Sequence, residues 1–373
     1  MKFIDMFCGI GTVRMGMEQA GHECVCSIEW DKHKRKIYSI IFGKEPEYAD
    51  ICSVGFNDLP RADCWTFGAP CQDFSIAGKR EGLEGNRSSM VLEVFRLIRE
   101  TEEKYRPKYL VYENVKGMLS SNKGFDYLKV LSEMDSLGYD IEWQLLNSKN
   151  FGVPQNRERV FTIGHSRRYS ARKIFPITES SGLHNESDQV GEETHETALC
   201  LTAKGQTNWT GSFVLKQLNK VKCLNSKDKN GKQPQQHDRV YATYGLMTSL
   251  MSSESGGRFN VLIPEATKKG YAEAFEGDSI NLAVPNSKTR RGRVGKGIAN
   301  TLDTSCNQAT LSQGRIRRLT PKECMRLQGV PDYITDKLIV AGISDTQIYR
   351  GAGDACTTTV IYQIAKRMGE NYE

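Results

Sequence analysis

Cys71 follows the apolar run Cys64-Trp65-Thr66-Phe67-Gly68-Ala69-Pro70 and precedes a polar, glycine-bearing stretch, QDFSIAGKREGLEGNRSS. A buried strand that ends in Gly, Pro and Cys and then opens into such a loop sets one thiol at the mouth of a cleft, where its thiolate can act as a nucleophile. Glu113 and Asn114 close a second apolar run, Tyr109-Leu110-Val111-Tyr112-Glu113-Asn114-Val115. A carboxylate at the carboxyl end of a parallel strand lies among other strand ends, where ligands bind in open α/β sheets, and there it can protonate or hydrogen-bond a ring nitrogen. A third group, Gln155-Asn156-Arg157-Glu158-Arg159, comes just ahead of Val160-Phe161-Thr162-Ile163-Gly164. In extended backbone Arg157 and Arg159 share a face, and two guanidinium forks there suit a base oxygen, a phosphate or the Glu113 carboxylate. Taken singly, each group has a plainer explanation: most cysteines are small buried hydrophobes, and these charged residues could form ordinary ion pairs.

A cofactor site is suggested at the N-terminus. Asp5-Met6-Phe7-Cys8-Gly9-Ile10-Gly11-Thr12 reads as a strand, a tight glycine turn and a helix start, where a nucleotide can approach backbone N–H groups. Glu29-Trp30-Asp31 ends the next strand, placing an acid where it can accept hydrogen bonds from ribose hydroxyls, with Trp30 offering a stacking face for adenine. Position 14 is Arg, so the GxGxxG form fails and no pyrophosphate cradle is specified. That departure disfavours NAD and favours a nucleoside cofactor without phosphates, such as S-adenosyl-L-methionine.

The elements that would position these groups follow from patterning. Residues 1 to 164 alternate β-rich runs, near 2–7, 23–29, 47–51, 63–68, 108–113, 140–146 and 159–164, with amphipathic stretches at 12–20, 31–41, 88–104 and 124–137. This is an α/β pattern of strands joined by crossover helices in a mostly parallel, Rossmann-like sheet. From 165 to 313 helical periodicity vanishes and Ser, Thr, Asn, Gln and Gly rise, as in a smaller, irregular β-rich domain; loose internal matches such as Arg239-x5-Gly245 with Arg291-x5-Gly297 run through it. Thr320-Pro321-Lys322-Glu323 carries an N-cap, a proline at the first helical position and a capping box, which predicts a helix start in a linking segment, 314–345. The end of the chain, 346–373, with a helix near 354–368, is expected to pack back on the first lobe.

Composition sets further bounds. With 373 residues, 38% hydrophobic and 26% charged, the chain is long enough for two lobes and has no long apolar run to cross a bilayer, so a cytoplasmic protein without membrane contact is expected. MKFIDMFCGIGTV is interrupted by Asp5 and glycines and reads as neither signal peptide nor anchor. The 11 cysteines are accordingly expected to be reduced thiols, and Cys24-x-Cys26 is too tight for a zinc knuckle, so no metal site is expected. A net charge of +6 hints only weakly at a polyanion, but Lys288, Arg290, Arg291, Arg293 and Lys296 cluster among glycines in SKTRRGRVGKG, a loop suited to phosphate contact.

The order of these motifs, Phe7-Cys8-Gly9-Ile10-Gly11, Glu29-Trp30, Gly68-Ala69-Pro70-Cys71-Gln72, Glu113-Asn114-Val115, Gln155-x-Arg157-x-Arg159, a variable region, then Arg318-Leu319-Thr320-Pro321-Lys322-Glu323, resembles the cytosine-5 DNA methyltransferase family, bacterial or phage type, over nearly the whole chain. The resemblance implies an S-adenosyl-L-methionine-dependent enzyme in which Cys71 adds to carbon 6 of a flipped cytosine, Glu113 holds or protonates N3, Arg159 binds O2, and Asn114 and Arg157 complete the catalytic set. It implies cofactor contacts by Phe7, Gly9, Ile10, Gly11, Glu29, Trp30, Asp50, Ile51, Pro70 and Asp354. It implies DNA contacts by Ser75, Lys79, Arg80 and Arg87 in the loop after Cys71, by Gln155, and by Arg290, Arg291 and Arg293 in a target-recognition domain over 165–313. The partner implied is double-stranded DNA, with a cognate restriction endonuclease in the same system and a monomeric enzyme. One departure stands out: the family has Gly-Asn followed by Ser or Ala near the C-terminus, whereas this chain has Gly353-Asp354-Ala355-Cys356. Rival readings are a tRNA cytosine-5 methyltransferase of the same fold, a DNA-binding regulator without catalysis, and a nicotinamide dehydrogenase; the large insert with its basic loop favours duplex DNA over tRNA.

Overall fold

The computed structural model describes residues 1–68, 90–169, 172–177, 241–242 (backbone only), 261–284, 287, 289–312 and 315–370. Pro70, Cys71, Ser75, Lys79, Arg80, Arg87 and Lys288 lie outside them, as do most residues between 178 and 260.

The first lobe runs β1 (Lys2–Met6), α1 (Thr12–Gln19), β2 (Glu23–Ile28), α2 (Lys32–Phe42), β3 (Cys64–Phe67), α3 (Met90–Glu100), β4 (Tyr109–Val115), α4 (Phe125–Ser136), β5 (Tyr139–Asn147), β6 (Gln155–Asn156) and β7 (Glu158–Ser166). One six-stranded sheet has the order β2-β1-β3-β4-β7-β5. Its first four strands are parallel, and β7 inserts antiparallel between β4 and β5. β1 and β3 are buried nearly throughout because helices cover both faces of the sheet. Period-two alternation divides their side chains between two layers. Ile4, Met6, Trp65, Phe67, Leu110 and Tyr112 meet α3 and α4 on one face. Phe3, Cys64, Tyr109, Val111, Phe161 and Ile163 meet the C-terminal helix on the other.

The expected strand at 47–51 is reduced to one bridge between Ile28 and Tyr48. There Arg35 takes the backbone carbonyls of Pro46 and Tyr48, and Asp50 caps a short 3-10 turn, Ile51–Ser53, so the backbone is not free to extend a ladder.

Beyond the first lobe come β8 (Tyr241–Ala242), β9 (Val261–Pro264), β10 (Tyr271–Ala274), β11 (Ser279–Asn281), β12 (Val294–Gly295), β13 (Ala299–Asn300), β14 (Gln308–Ser312) and β15 (Arg315–Arg318). They form a three-stranded sheet, β10-β9-β8, and a four-stranded one, β12-β11-β14-β15, around a small core of Ile263, Ala274, Ile280, Ala309 and Leu311. β13 instead pairs with β6 of the first lobe.

The chain then enters α5 (Pro321–Arg326), α6 (Asp332–Val340), α7 (Asp345–Asp354) and α8 (Thr358–Glu370). α5 starts as its residues dictate: Thr320 Oγ1 accepts from the Glu323 N–H, and Glu323 accepts from the Thr320 N–H. The helix expected at 354–368 is α8, which begins four residues later, at Thr358, after the break Ala355-Cys356-Thr357 that separates it from α7. α8 does return to the first lobe, burying Val360, Ile361, Ile364, Ala365 and Met368. Cys306 and Cys324 bring their sulfurs together in the core under α5 to α7, and Cys8, Cys24, Cys26, Cys52, Cys64 and Cys356 are free. No described helix is long and apolar enough to cross a membrane, and no metal-ligating cluster occurs among the described residues.

Asp5, in the middle of this layered core, is buried and accepts a hydrogen bond from Thr66 Oγ1 at 3.0 Å on one oxygen only. Desolvation pushes its pKa up to about 7, well above its unfolded value of 3.8. The folded state therefore holds this proton more tightly than the unfolded state, so the group's contribution is complete below pH 4 and lost as pH rises through 7. Asp5→Asn abolishes that dependence. Denaturant titrations should show its unfolding free energy gaining on the wild type by a few kcal/mol, at most about 4, between pH 4 and 8.

Candidate active site and cofactor cradle

After β1 the backbone turns through Phe7 at φ 60°, Gly9 at 59° and Gly11 at 85°. The Cys8 N–H donates to the Ile28 carbonyl at 3.0 Å, which sets this turn against the end of β2. Glu29 is buried, and its carboxylate accepts from the Gly9 and Asp31 N–H groups, each at 2.8 Å. One acid thus links two loops while retaining acceptor capacity on both oxygens. At Gly11 an added Cβ would lie 2.2 Å from the Phe42 ring, so helix α1 can start this close to α2 only with glycine there. At Gly9 nothing lies within 4 Å of the same position, and the backbone faces open space.

Trp30 is 78% exposed beside this open turn. Arg35 bridges the next loop, its Nη1 donating to the carbonyls of Glu29 at 3.2 Å and Tyr48 at 2.9 Å. Asp50 is exposed, with Oδ1 on the Cys52 N–H, and Ile51 is buried. Ile10 is buried against α7, within 2.9 Å of where a Cβ on Gly351 would sit. The structure therefore draws Phe7, Gly9, Glu29 and Trp30 to one rim, with the Asp50 loop tied to it by Arg35. At the end of α7, Asp354 pairs with Lys34 at 2.8 Å.

The second group forms where β4 and β7 run antiparallel. Arg159 lies opposite Val115, so Glu113, two residues back, is its diagonal neighbour on the same face, and Arg159 Nε meets Glu113 Oε1 at 3.1 Å. Both side chains are largely covered. An added Cβ on Gly68, just after β3, would sit 3.2 Å from the other Glu113 oxygen, so three strands deliver their ends to one point. Buried Asn114 turns inward: its amide donates to Tyr112 Oη and its oxygen accepts the Val115 N–H, both at 2.7 Å.

Two residues grouped with Arg159 by sequence are not beside it. Arg157 is 2% exposed and donates to the backbone carbonyls of Leu302 (3.3 Å), Gly353 (3.1 Å) and Ala355 (2.7 Å). Gln155 is fully buried, donating to the Leu327 carbonyl at 2.7 Å and accepting the Leu302 N–H at 3.1 Å. The short β6 strand and its pairing with β13 turn these side chains into the molecule, so the expectation of DNA contact by Gln155 and of a catalytic face shared by Arg157 and Arg159 is corrected.

The basic loop is also rearranged. Arg293 is buried on the carbonyls of Asn281 and Pro264; Lys296 is exposed but its ammonium is held by Asp278, and Arg291 is exposed with Nε on the Ala266 carbonyl. Arg290 is half-buried on the Ala283 carbonyl. Arg293 is thus withdrawn from any DNA surface. Sequence reading missed Lys34 and Arg35, which look like part of a solvated basic face of α2; their place in the first turn after Glu29-Trp30-Asp31 was the available signal.

The C-5 cytosine-specific DNA methylase family model matches residues 1–370. The chain belongs to that family. It is 28% identical to the type II methyltransferase M.HhaI of Haemophilus parahaemolyticus over all of its own length and 95% of the relative's. It is 30% identical to M.HgiCI of Herpetosiphon aurantiacus, covering 89% of this chain and 90% of the relative. The solved structure of the S. pombe Dnmt2 methyltransferase shares the fold, with a TM-score of 0.59 at 16% identity over 99% of this chain and 98% of that one. This C-5 cytosine-specific DNA methylase is a DNA methyltransferase of the S-adenosyl-L-methionine-using family, with the α/β sheet and additional β-rich region expected.

In this methylase the Arg157 contacts are a stability prediction. Arg157→Met leaves three buried carbonyls without their cation, at about 1–3 kcal/mol each. Urea unfolding should show a loss of at least about 3 kcal/mol, and a loss below about 1 kcal/mol would contradict the clamp.

Proposed function

We propose that the chain methylates carbon 5 of a cytosine flipped out of duplex DNA, through a transient bond between Cys71 and carbon 6. The observation that carries this is the Glu113–Arg159 pair at 3.1 Å, with Gly68 against the same carboxylate. Cys71 is three residues after Gly68, and three trans peptide units span at most roughly 11 Å, so covalent connectivity alone keeps the thiol near the pair.

The chemistry assigns each group a task. Carbon 5 is a poor nucleophile until the Cys71 thiolate adds to carbon 6; the ring double-bond electrons then shift as Glu113 hydrogen-bonds or protonates N3, giving an enamine nucleophilic at carbon 5. Arg159 holds O2 and keeps Glu113 aimed at the ring. S-adenosyl-L-methionine supplies the electrophilic methyl group that carbon 5 accepts. Loss of the carbon 5 proton to a base then returns the bonding electrons to the ring and expels Cys71 as thiolate. Asn114, bonded to Tyr112 and to its neighbour's backbone, acts by holding the strand end rather than by touching the base.

The cofactor's natural seat in this reading is the open turn: Gly9 backbone for close approach, Glu29 for the ribose hydroxyls, Trp30 for a ring face, and Phe7, Ile10, Gly11, Asp50, Ile51 and Pro70 around them. The empty space over Gly9 and the exposed Trp30 fit a nucleoside without phosphates. DNA contact falls to the loop bearing Ser75, Lys79, Arg80 and Arg87 and, in a target-recognition domain over 165–313, to Arg291 and Arg290.

Duplex DNA carrying 5-fluorocytosine cannot release the carbon 5 substituent as a proton, so incubation with S-adenosyl-L-methionine should leave a complex stable to denaturation and mapped by mass spectrometry to Cys71. Cys71→Ser should lower turnover at least ~10³-fold and abolish the complex while duplex binding persists. The reading fails if no duplex gives an adduct while tritiated methyl enters tRNA.

A further inference from the structure

Lys34 sits in the first turn of α2, four residues after Trp30, and its ammonium meets Asp354 Oδ2 at 2.8 Å. Its side chain is 19% exposed and that of Asp354 35%, so this is a partly covered pair rather than one afloat in solvent. Burial would weaken Lys34's hold on its proton, but Asp354, Glu29 and Asp31 outweigh it, and the ammonium has three carboxylates for neighbours. The seam between α2 and α7 is tied twice more: Arg350 to Asp31 at 3.0 Å, and Gln347 Nε2 to His33 Nδ1 at 2.7 Å. Asp354 is also the residue between Gly353 and Ala355, whose carbonyls Arg157 holds. Neither Lys34 nor its pairing was legible as part of the site, yet Lys34 joins Asp354 to the Glu29-Trp30-Asp31 rim.

We propose that Lys34 is a positioning residue for the methyl donor: through Asp354 it fixes the end of α7 against the Glu29-Trp30 loop, and it cancels the charge that Asp354 brings to that rim. This rests on the cofactor placement proposed above. A neutral side chain at 354 would need no partner; the aspartate here does, and the lysine is its counter-charge.

The test is equilibrium binding of S-adenosyl-L-methionine by calorimetry to the full chain, with KM, kcat and melting temperature measured alongside. Lys34→Met leaves Asp354 uncompensated and should weaken binding about tenfold, raising KM while kcat changes less than twofold. Lys34→Met combined with Asp354→Asn removes both charges and should bind within threefold of the wild type. A merely structural pair would lower the melting temperature without this rescue. Lys34→Met binding like the wild type, or a double variant no better than Lys34→Met, overturns the proposal. Glu29→Ala separates the two failures: if it too binds like the wild type, the cofactor placement itself is wrong; if it loses binding while the Lys34 series does not, only the role of Lys34 falls.

Discussion

The guanidinium of Arg157 is the interior junction on which the rest of the molecule depends. A cation taken out of water is costly unless its donors are met, and here Nη1 and Nη2 donate to carbonyls of Leu302, Gly353 and Ala355, residues 145, 196 and 198 positions further along the chain. Gln155 adds Leu302 and Leu327 from the neighbouring residue pair. A short stretch before β7 therefore ties the β-rich region, α5 and the α7–α8 break into the first lobe. The break has its cause there: the carbonyls on either side of Asp354 accept from Arg157, so α7 stops at Asp354 and the final helix starts at Thr358 rather than at the expected 354.

The same junction bears on the chemistry two residues later. β7 carries Arg159 directly after the clamped segment, and its antiparallel register against β4 makes Arg159 the diagonal neighbour of Glu113. A slip of one residue would send Arg159 to the opposite face and break the pair. The inward aim of Gln155 and Arg157 works against such a slip. Interior arginine and outward arginine are thus two halves of one device, although a sequence shows them only as alternating like residues.

What was legible in the chain follows from this. Strands apolar on both faces, helix starts such as Thr320-Pro321, and the glycine turn after β1 are local signals and emerged within a residue or two of their expected places. The proximity of Glu113 to Arg159 was offered only as one of three partners, because the insertion of β7 between β4 and β5 is a long-range arrangement that no local pattern encodes. Residues 47–51 read as a strand because their composition allows one, but Arg35 takes the carbonyls of Pro46 and Tyr48. Gln155 and Arg157 were misread because charge and polarity suggest exposure, and only tertiary partners reveal a buried polar network.

The basic loop at 287–297 makes the same point for nucleic-acid binding. Counting cations suggested a phosphate-binding surface, but Arg293 is enclosed by carbonyls and Lys296 is neutralised by Asp278. Long-range attraction of DNA depends on net charge and persists whether or not a given cation is paired, whereas a direct phosphate contact requires a guanidinium whose donors face outward. In this loop Arg291 meets that condition best. Arg293 and Lys296 instead keep the strands around β11 in register, so the loop's charge divides between holding its own fold and presenting one arginine on a defined backbone.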